Sequence, residues 1–236
     1  MARRRSSDIG VVLAAGGRGR RFGRAVPKQF LKLRGKPILQ HSLERFAGLA
    51  AVREIVVVVP EEHARRAAAI IRRSGVRRRC QVVAGGAERQ ESVGRGLRAL
   101  DPACRIVLVH DAARPLVSAA VVERVIRATR RFGAAMAALR VSDTIKREGQ
   151  RGFATETVRR EQLWAAQTPQ GFRRSLLERA HRQAVQEGVV GTDEASLLER
   201  MGKKVRLVEG SPKNLKITTR EDFLLAAGFA GRPGRG

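Results

Sequence analysis

Short, continuous apolar runs alternate with segments of helical spacing along most of the chain. This alternation constrains the fold more than any other feature. Ile9–Ala15 (IGVVLAA), Glu54–Val59 (EIVVVV) and Arg105–His110 (RIVLVH) read as strands, the first buried on both faces and the second closed by Pro60. Cys80–Ala84 and Ala134–Leu139 read as two more. Between them, residues 37–50 carry Leu39, Leu43, Phe46 and Ala50 on one helical face, and 61–73 and 88–100 also read as helices. Ser118 is a candidate cap for a helix that turns Val121, Val122, Val125 and Ile126 inward and Arg124, Arg127 and Arg131 to water. Strands that alternate with helices need crossover connections, which predicts an α/β chain with a mostly parallel, doubly wound sheet. In such sheets ligands bind at the carboxyl ends of the strands. The loops at 16–28, 85–92 and 110–115 all follow strand ends, so one composite site is expected there.

Residues 141–163 break the rhythm, with Gly149, Gly152 and only weak strand character at 153–158. Helices are expected again at 173–187 and 193–201, a strand at 204–208, an extended Asn214–Ile217 and a final helix opening near Thr219. Residues 1–8 read as a basic tail, 9–228 as a single domain and 229–236 as a flexible C-terminal tail.

Charge is the feature that most needs explaining. The 236 residues carry a formal charge of +26, with 40 Arg and 8 Lys. The positives are spread along the chain, Tyr is absent and aromatic residues make up 4%, which is poor material for stacking bases. No specific nucleic-acid partner is expected. The apolar stretch behind Arg3-Arg4-Arg5 is short and runs into Arg18, Arg20 and Arg21, unlike a translocated signal, and no run reaches the ~18 residues of a membrane span. Cys80 and Cys104 form no CxxC pair, and the four histidines show no ligand spacing with them, so reduced thiols and a cytoplasmic location are expected.

The chemistry concentrates in the strand-end loops. The first, Ala14-Ala15-Gly16-Gly17-Arg18-Gly19-Arg20-Arg21-Phe22-Gly23, lets backbone N–H groups approach a phosphate. It is neither a P-loop nor a dinucleotide fingerprint. Lys28 in PKQF and Lys216 in NLKIT stand out as lysines in a chain that otherwise uses arginine. Asp111, in HDAARP at a strand end, suits a Mg²⁺ or substrate ligand; an Asx turn or a helix-capping pair is the alternative. Thr192-Asp193-Glu194 and Thr219–Asp222 also read as helix starts, the second preferentially.

Taken in order, AAG…GRRF, PKQF, GGAERQES, VHDAARP, SDTIK, TVRREQLW, QTPQGF, TDEASLLE and NLKIT resemble the 2-C-methyl-D-erythritol 4-phosphate cytidylyltransferase family over about residues 9–226. The resemblance implies a Rossmann-like nucleotidyltransferase fold with a protruding dimerisation arm at about 141–163. It also implies Mg²⁺-dependent transfer of CMP from CTP to methylerythritol phosphate with release of pyrophosphate. By motif, Arg21 and Lys28 would stabilise the pentacoordinate α-phosphorus, and Lys216 would reach the phosphates. Gly16, Gly17 and Gly19 would wrap the triphosphate, Gly86, Ala87 and Ser92 would hold the cytosine and ribose, and Ala14, Ala15 and Gly85 would also bind the nucleotide. Asp111 would bind the acceptor alcohol and Mg²⁺. Arg114, Thr144, Arg160, Thr168 and Thr192 would bind the acceptor, with Thr144 and Arg160 serving the partner's site in a homodimer. Ala87 stands where the family often has Asp, and Arg159 precedes Arg160. A ribitol-5-phosphate cytidylyltransferase is the alternative in the same chemical class. A basic nucleic-acid-binding protein is the alternative in another.

Overall fold

A computed structural model describes residues 7–17 and 27–231. Its strands are β1 (Ile9–Ala14), β2 (Lys32–Leu33), β3 (Lys36–Pro37), β4 (Val52–Val59), β5 (Arg79–Ala84), β6 (Ile106–Asp111), β7 (Ala134–Arg140), β8 (Ile145–Glu148), β9 (Ala154–Val158), β10 (Trp164–Arg173) and β11 (Arg206–Glu209). Its α-helices are α1 (Ile38–Ala47), α2 (Ala64–Arg73), α3 (Arg89–Ala99), α4 (Ala119–Phe132), α5 (Arg174–Gln186), α6 (Glu194–Arg200) and α7 (Arg220–Ala230). Seven strands form one sheet in the order β11-β7-β10-β6-β1-β4-β5, parallel except for β10.

The apolar runs become the sheet centre because successive side chains enter opposite cores. Ile9, Val11 and Leu13 of β1 join Ile55, Val57 and Val59 of β4 in one core, covered by α1, α2 and α4. Val12, Val56 and Val58 enter the other, covered by α3, α5 and α6. Full burial of each such side chain is worth about 1.5–3 kcal/mol, which holds β1 and β4 inside the sheet. Gly96 brings α3 onto this surface: a Cβ there would lie 2.7 Å from Val12 Cγ1 and 2.8 Å from Val58 Cγ2.

Several boundaries differ from the sequence expectation. Helix α1 ends at Ala47, and Ala50 is exposed in the turn that follows. The segment at 61–73 opens with a 3-10 turn, Glu61–His63, before α2. Strand β10 is not expected from the sequence at all. It contains Pro169 and Gly171, which argue against a central strand, and its buried side chains include polar Gln167, Thr168 and Gln170. The sheet accommodates Pro169 through a register shift against β7 between Ala166 and Gln170. Helix α7 runs through Phe229 and Ala230, which the sequence pattern assigns to the tail. Ser118 caps α4 as expected, accepting from Val121 N.

The irregular stretch at 141–163 contains the antiparallel hairpin β8–β9, whose side chains almost all face water. Helix α7 packs beside the β2–β3 hairpin, where Leu33, Ile38, Ile217 and Ala226 form a small third core. That core anchors the chain just after Lys216.

Candidate functional site

A cavity of about 640 Å³ opens where β1, β4, β5 and β6 end. Its lining includes Ala14, Ala15, Gly16 and Gly17 from the first loop, and Gly85, Gly86, Ala87 and Ser92 from the third. Lys28, Lys216 and Asp111 complete the set that the sequence had singled out. Arg21 and Gly19 lie outside the described residues.

The loop at 85–88 is shaped by α3. Ser92 Oγ accepts from Gly86 N at 3.0 Å, and Glu91 Oε2 accepts from Ala87 N at 2.9 Å. Side chains of the helix thereby fix the backbone groups of the loop. A Cβ on Gly85 would stand 2.8 Å from Ser92 Oγ, so glycine is what permits the approach.

Asp111 terminates β6 among three cations. Arg89 Nε lies 3.3 Å from its Oδ1, and Lys216 Nζ and Arg114 Nε lie 2.8 and 4.0 Å from its Oδ2. Burial opposes ionisation, but Arg89, Lys216 and Arg114 outweigh it and hold the carboxyl well below the usual range. Lys216 is delivered by a pinned segment. Buried Asn214 donates to Gln167 Oε1 and Thr168 O, its own carbonyl accepts from Arg114 Nη1, and Ile217 N donates to Ala113 O. Ile217 O in turn accepts from Lys28 Nζ at 2.9 Å, so the two lysines meet at one corner of the cavity.

His110 supports this corner without being free to react. Thr168 Oγ1 accepts from Asp111 N at 3.0 Å and sits 3.0 Å from His110 Nδ1, while His110 Nε2 faces Arg114 O at 3.1 Å. The Thr168 hydroxyl therefore donates to Nδ1 and Nε2–H donates to the carbonyl. Burial lowers the His110 pKa to about 4, which keeps the ring neutral. Both ring nitrogens are engaged, so His110 is a strut and not a base.

The predicted acceptor residues are divided. Thr168 is buried behind the β6 end, and Arg114 points to the carbonyls of Asn214 and Ala166. Thr192 is exposed just before Asp193, which caps α6 through Ser196 N in a capping box. Thr219 likewise caps α7, so that segment is a helix start, as preferred from its sequence. Thr144 and Arg160 belong to the hairpin region, none of which lines the cavity; Arg160 donates to Ser142 O.

Sequence reasoning missed Arg89 and Glu194. Arg89 Nη1 meets both Glu194 carboxylate oxygens at 2.8 Å, and Glu194 is 1% exposed. Burial raises the Glu194 carboxyl, opposed by Arg89; the two carboxylates hold the Arg89 pKa above its ordinary value despite its own burial. Both residues sit inside quoted motifs, GGAERQES and TDEASLLE, but their pairing across 105 residues leaves no local signal.

Among the described residues, no group of three His, Cys, Asp or Glu side chains converges as a metal cage. One cavity carboxylate at a strand end suits Mg²⁺, which keeps most of its waters and takes its other ligands from phosphates. Cys80 and Cys104 are free thiols that burial pushes up to about 11.

Residues 9–231 match the sequence model of IspD, 2-C-methyl-D-erythritol 4-phosphate cytidylyltransferase. A protein of that name from Pelotomaculum thermopropionicum is 44% identical over 229 residues, covering 96% of each chain. One from Symbiobacterium thermophilum is 45% identical over 218 residues, covering 92% of this chain and 91% of its own. The crystal structure of 4-diphosphocytidyl-2C-methyl-D-erythritol synthase from Anaerococcus prevotii superposes with a TM-score of 0.85 at 27% identity, over 95% of this chain and 98% of that one. The crystal structure of 2-C-methyl-D-erythritol 4-phosphate cytidylyltransferase from Thermus thermophilus gives 0.77 at 34% identity, over 94% and 98%. The chain thus belongs to the 2-C-methyl-D-erythritol 4-phosphate cytidylyltransferase family, and is a nucleotidyltransferase.

Proposed function

We propose that the cavity transfers CMP from CTP to 2-C-methyl-D-erythritol 4-phosphate, giving 4-diphosphocytidyl-2-C-methyl-D-erythritol and pyrophosphate. The observation that carries this is the meeting of a glycine loop, Lys28, Lys216 and Asp111 in one cavity, opposite a loop whose backbone groups are fixed by Ser92 and Glu91.

The nucleophile is a phosphate monoester, close to dianionic at neutral pH with a second pKa of about 6, so no general base is needed. That agrees with a histidine locked as a strut. The task is to bring four phosphates together and offset the charge that develops at the α-phosphorus. Gly16 and Gly17 offer backbone N–H groups, while Lys28 and Lys216 supply compact charges at the phosphates. We assign Arg21 and Gly19 to the same loop by motif. Gly85, Gly86, Ala87 and Ser92 hold the base and ribose, with Ala87 contributing only backbone. Bound with the triphosphate, Mg²⁺ would neutralise phosphate charge; Asp111 is the side chain that would hold it.

Arg114 and Thr168 brace the acceptor side from behind Asp111, and Thr192 stands at its α6 edge. Thr144 and Arg160 require a second subunit: we place the β8–β9 arm over the partner's cavity in a homodimer. No described helix is long and apolar enough to cross a membrane, and we place the enzyme in the cytoplasm.

Pyrophosphate release from CTP and Mg²⁺, compared between methylerythritol phosphate and ribitol 5-phosphate, tests the reading. Release with the first alone is expected. Preference for the second would move the chain to ribitol phosphate chemistry.

A further inference from the structure

We propose that Arg89 is a positioning residue. Held by Glu194, it is the fixed counterion of Asp111, and it leaves Lys216 as the counterion that exchanges onto the nucleotide phosphates. The inference rests on the cytidylyltransfer reading and deepens it, by sorting the two cations in closest contact with Asp111 into one that stays and one that moves.

Of the three cations around Asp111, Arg114 is the most distant at 4.0 Å, and the two in closer contact are held very differently. Arg89 spans two carboxylates, its Nη1 on Glu194 and its Nε on Asp111. Glu194 is the first residue of α6 and is buried, and the start of that helix is itself pinned. Asp193 forms the capping box, accepts from Gln170 Nε2 at 2.6 Å, and Gln170 Oε1 accepts from Ala195 N at 3.2 Å. Next to Arg89, Gln90 donates to Val189 O and accepts from Gly191 N, so the α3 start is tied to the loop that leads into α6. If Arg89 left for a phosphate, Glu194 would remain as a buried carboxylate without a partner, which is strongly unfavourable.

Lys216 has no such tie. Its side chain is 41% exposed, it lies outside any helix or strand, and it touches Asp111 through one ammonium group at 2.8 Å. An incoming triphosphate offers it more negative charge at the same corner as Lys28. When Lys216 turns to the phosphates, Asp111 Oδ2 keeps only the more distant Arg114, at 4.0 Å, while Arg89 keeps Oδ1 in place. The carboxylate then presents Oδ2 in a fixed direction, and the arginine on its other oxygen links the carboxylate to the α3 start that shapes the base-side loop.

The test compares wild type, Glu194→Gln and Arg89→Lys by pyrophosphate release, CTP calorimetry and melting temperature. In Glu194→Gln the guanidinium loses its anchoring charge and joins the exchangeable cations. CTP affinity is held or tightened while kcat falls about 10- to 100-fold, the range for lost outer-shell partners. Arg89→Lys keeps a charge beside Glu194 but cannot span both carboxylates. Its kcat falls by a similar factor, with KM for CTP little changed. If Glu194→Gln does not fold, Arg89→Lys carries the comparison. A kcat equal to wild type in folded variants, or losses in kcat and KM that only follow the folded fraction, would overturn the assignment. A wild type that binds CTP but turns over neither acceptor would sink the cytidylyltransfer reading instead. In that case weaker CTP binding by Glu194→Gln would still overturn the counterion assignment, and held or tighter binding would support it.

Discussion

The cavity and the β8–β9 hairpin both carry ion pairs, yet they use them in opposite ways. In the cavity, Arg89, Glu194, Asp111 and Lys216 form a connected, largely buried set. On the hairpin, Arg147 meets Glu156 at 2.6 Å with both side chains more than half exposed. An exposed pair of that kind contributes about 0–1 kcal/mol, whereas removing one member of a buried pair costs about 3–5 kcal/mol. The cavity is therefore built to hold its geometry within one chain. The hairpin buries little and rests on no core of its own, and it is this segment for which we propose a second subunit as partner.

The sharpest test of this contrast is Lys28→Ala. Lys28 lies on a 3-10 turn and bonds the Ile217 carbonyl, so its loss leaves both main cores intact. Removing one group that stabilises developing charge costs about 10²–10³ in kcat. Pyrophosphate release should fall by that factor with little change in melting temperature. A comparable loss of stability would mean that Lys28 is structural, and would blur the line between the cavity and its scaffold.

Acid should distinguish the regions next. Burial holds His110 and His181 at about 4, against an ordinary value of 6.5. Between those values the unfolded chain binds protons that the folded chain refuses. Stability then falls as pH drops from 6.5 towards 4, by about 1.4 kcal/mol per pH unit for each ring. Asp111 adds the same sign lower down. Its depressed pKa gives stability that is present above 3.8 and lost as pH falls below it. Denaturant midpoints measured from pH 7 to 4 would show this slope. The hairpin contains no buried titratable side chain, so deleting it should leave the slope unchanged, and a slope that vanished with it would break the comparison.

What the sequence makes visible follows the same division. The apolar runs Val11–Leu13, Ile55–Val59 and Ile106–Val109 of β1, β4 and β6 are legible because both faces are buried and nothing polar interrupts them. Strand β10 is illegible because Pro169 and Gly171 mark it as a non-strand, and because its polar residues bond to loops far away in sequence, as Gln167 does to Ser211 and Asn214. Lys28 and Lys216 stand out against 40 arginines, and for the same reason Arg89 does not. Glu194 is legible as a residue at a helix start. Its burial and its arginine partner depend on how α3 and α6 are brought together, which no local pattern encodes.

The last prediction concerns the arm alone. If Thr144 and Arg160 serve the partner's cavity, then Lys28→Ala and Arg160→Ala damage different subunits of the same site. Each homodimer should be impaired. When the two are unfolded together and reassembled in equal amounts, half of the dimers are mixed. In a mixed dimer one cavity carries both defects, and the other has an intact Lys28 beneath an intact arm. Activity should therefore recover to about a quarter of wild type. If both residues acted in one chain, mixing would leave every cavity with one defect or the other and nothing would be regained. The hairpin would then be a surface feature with no share in the site. Recovery would instead explain why so exposed a segment interrupts an otherwise regular alternation of strand and helix: its structural partner is the cavity of another copy.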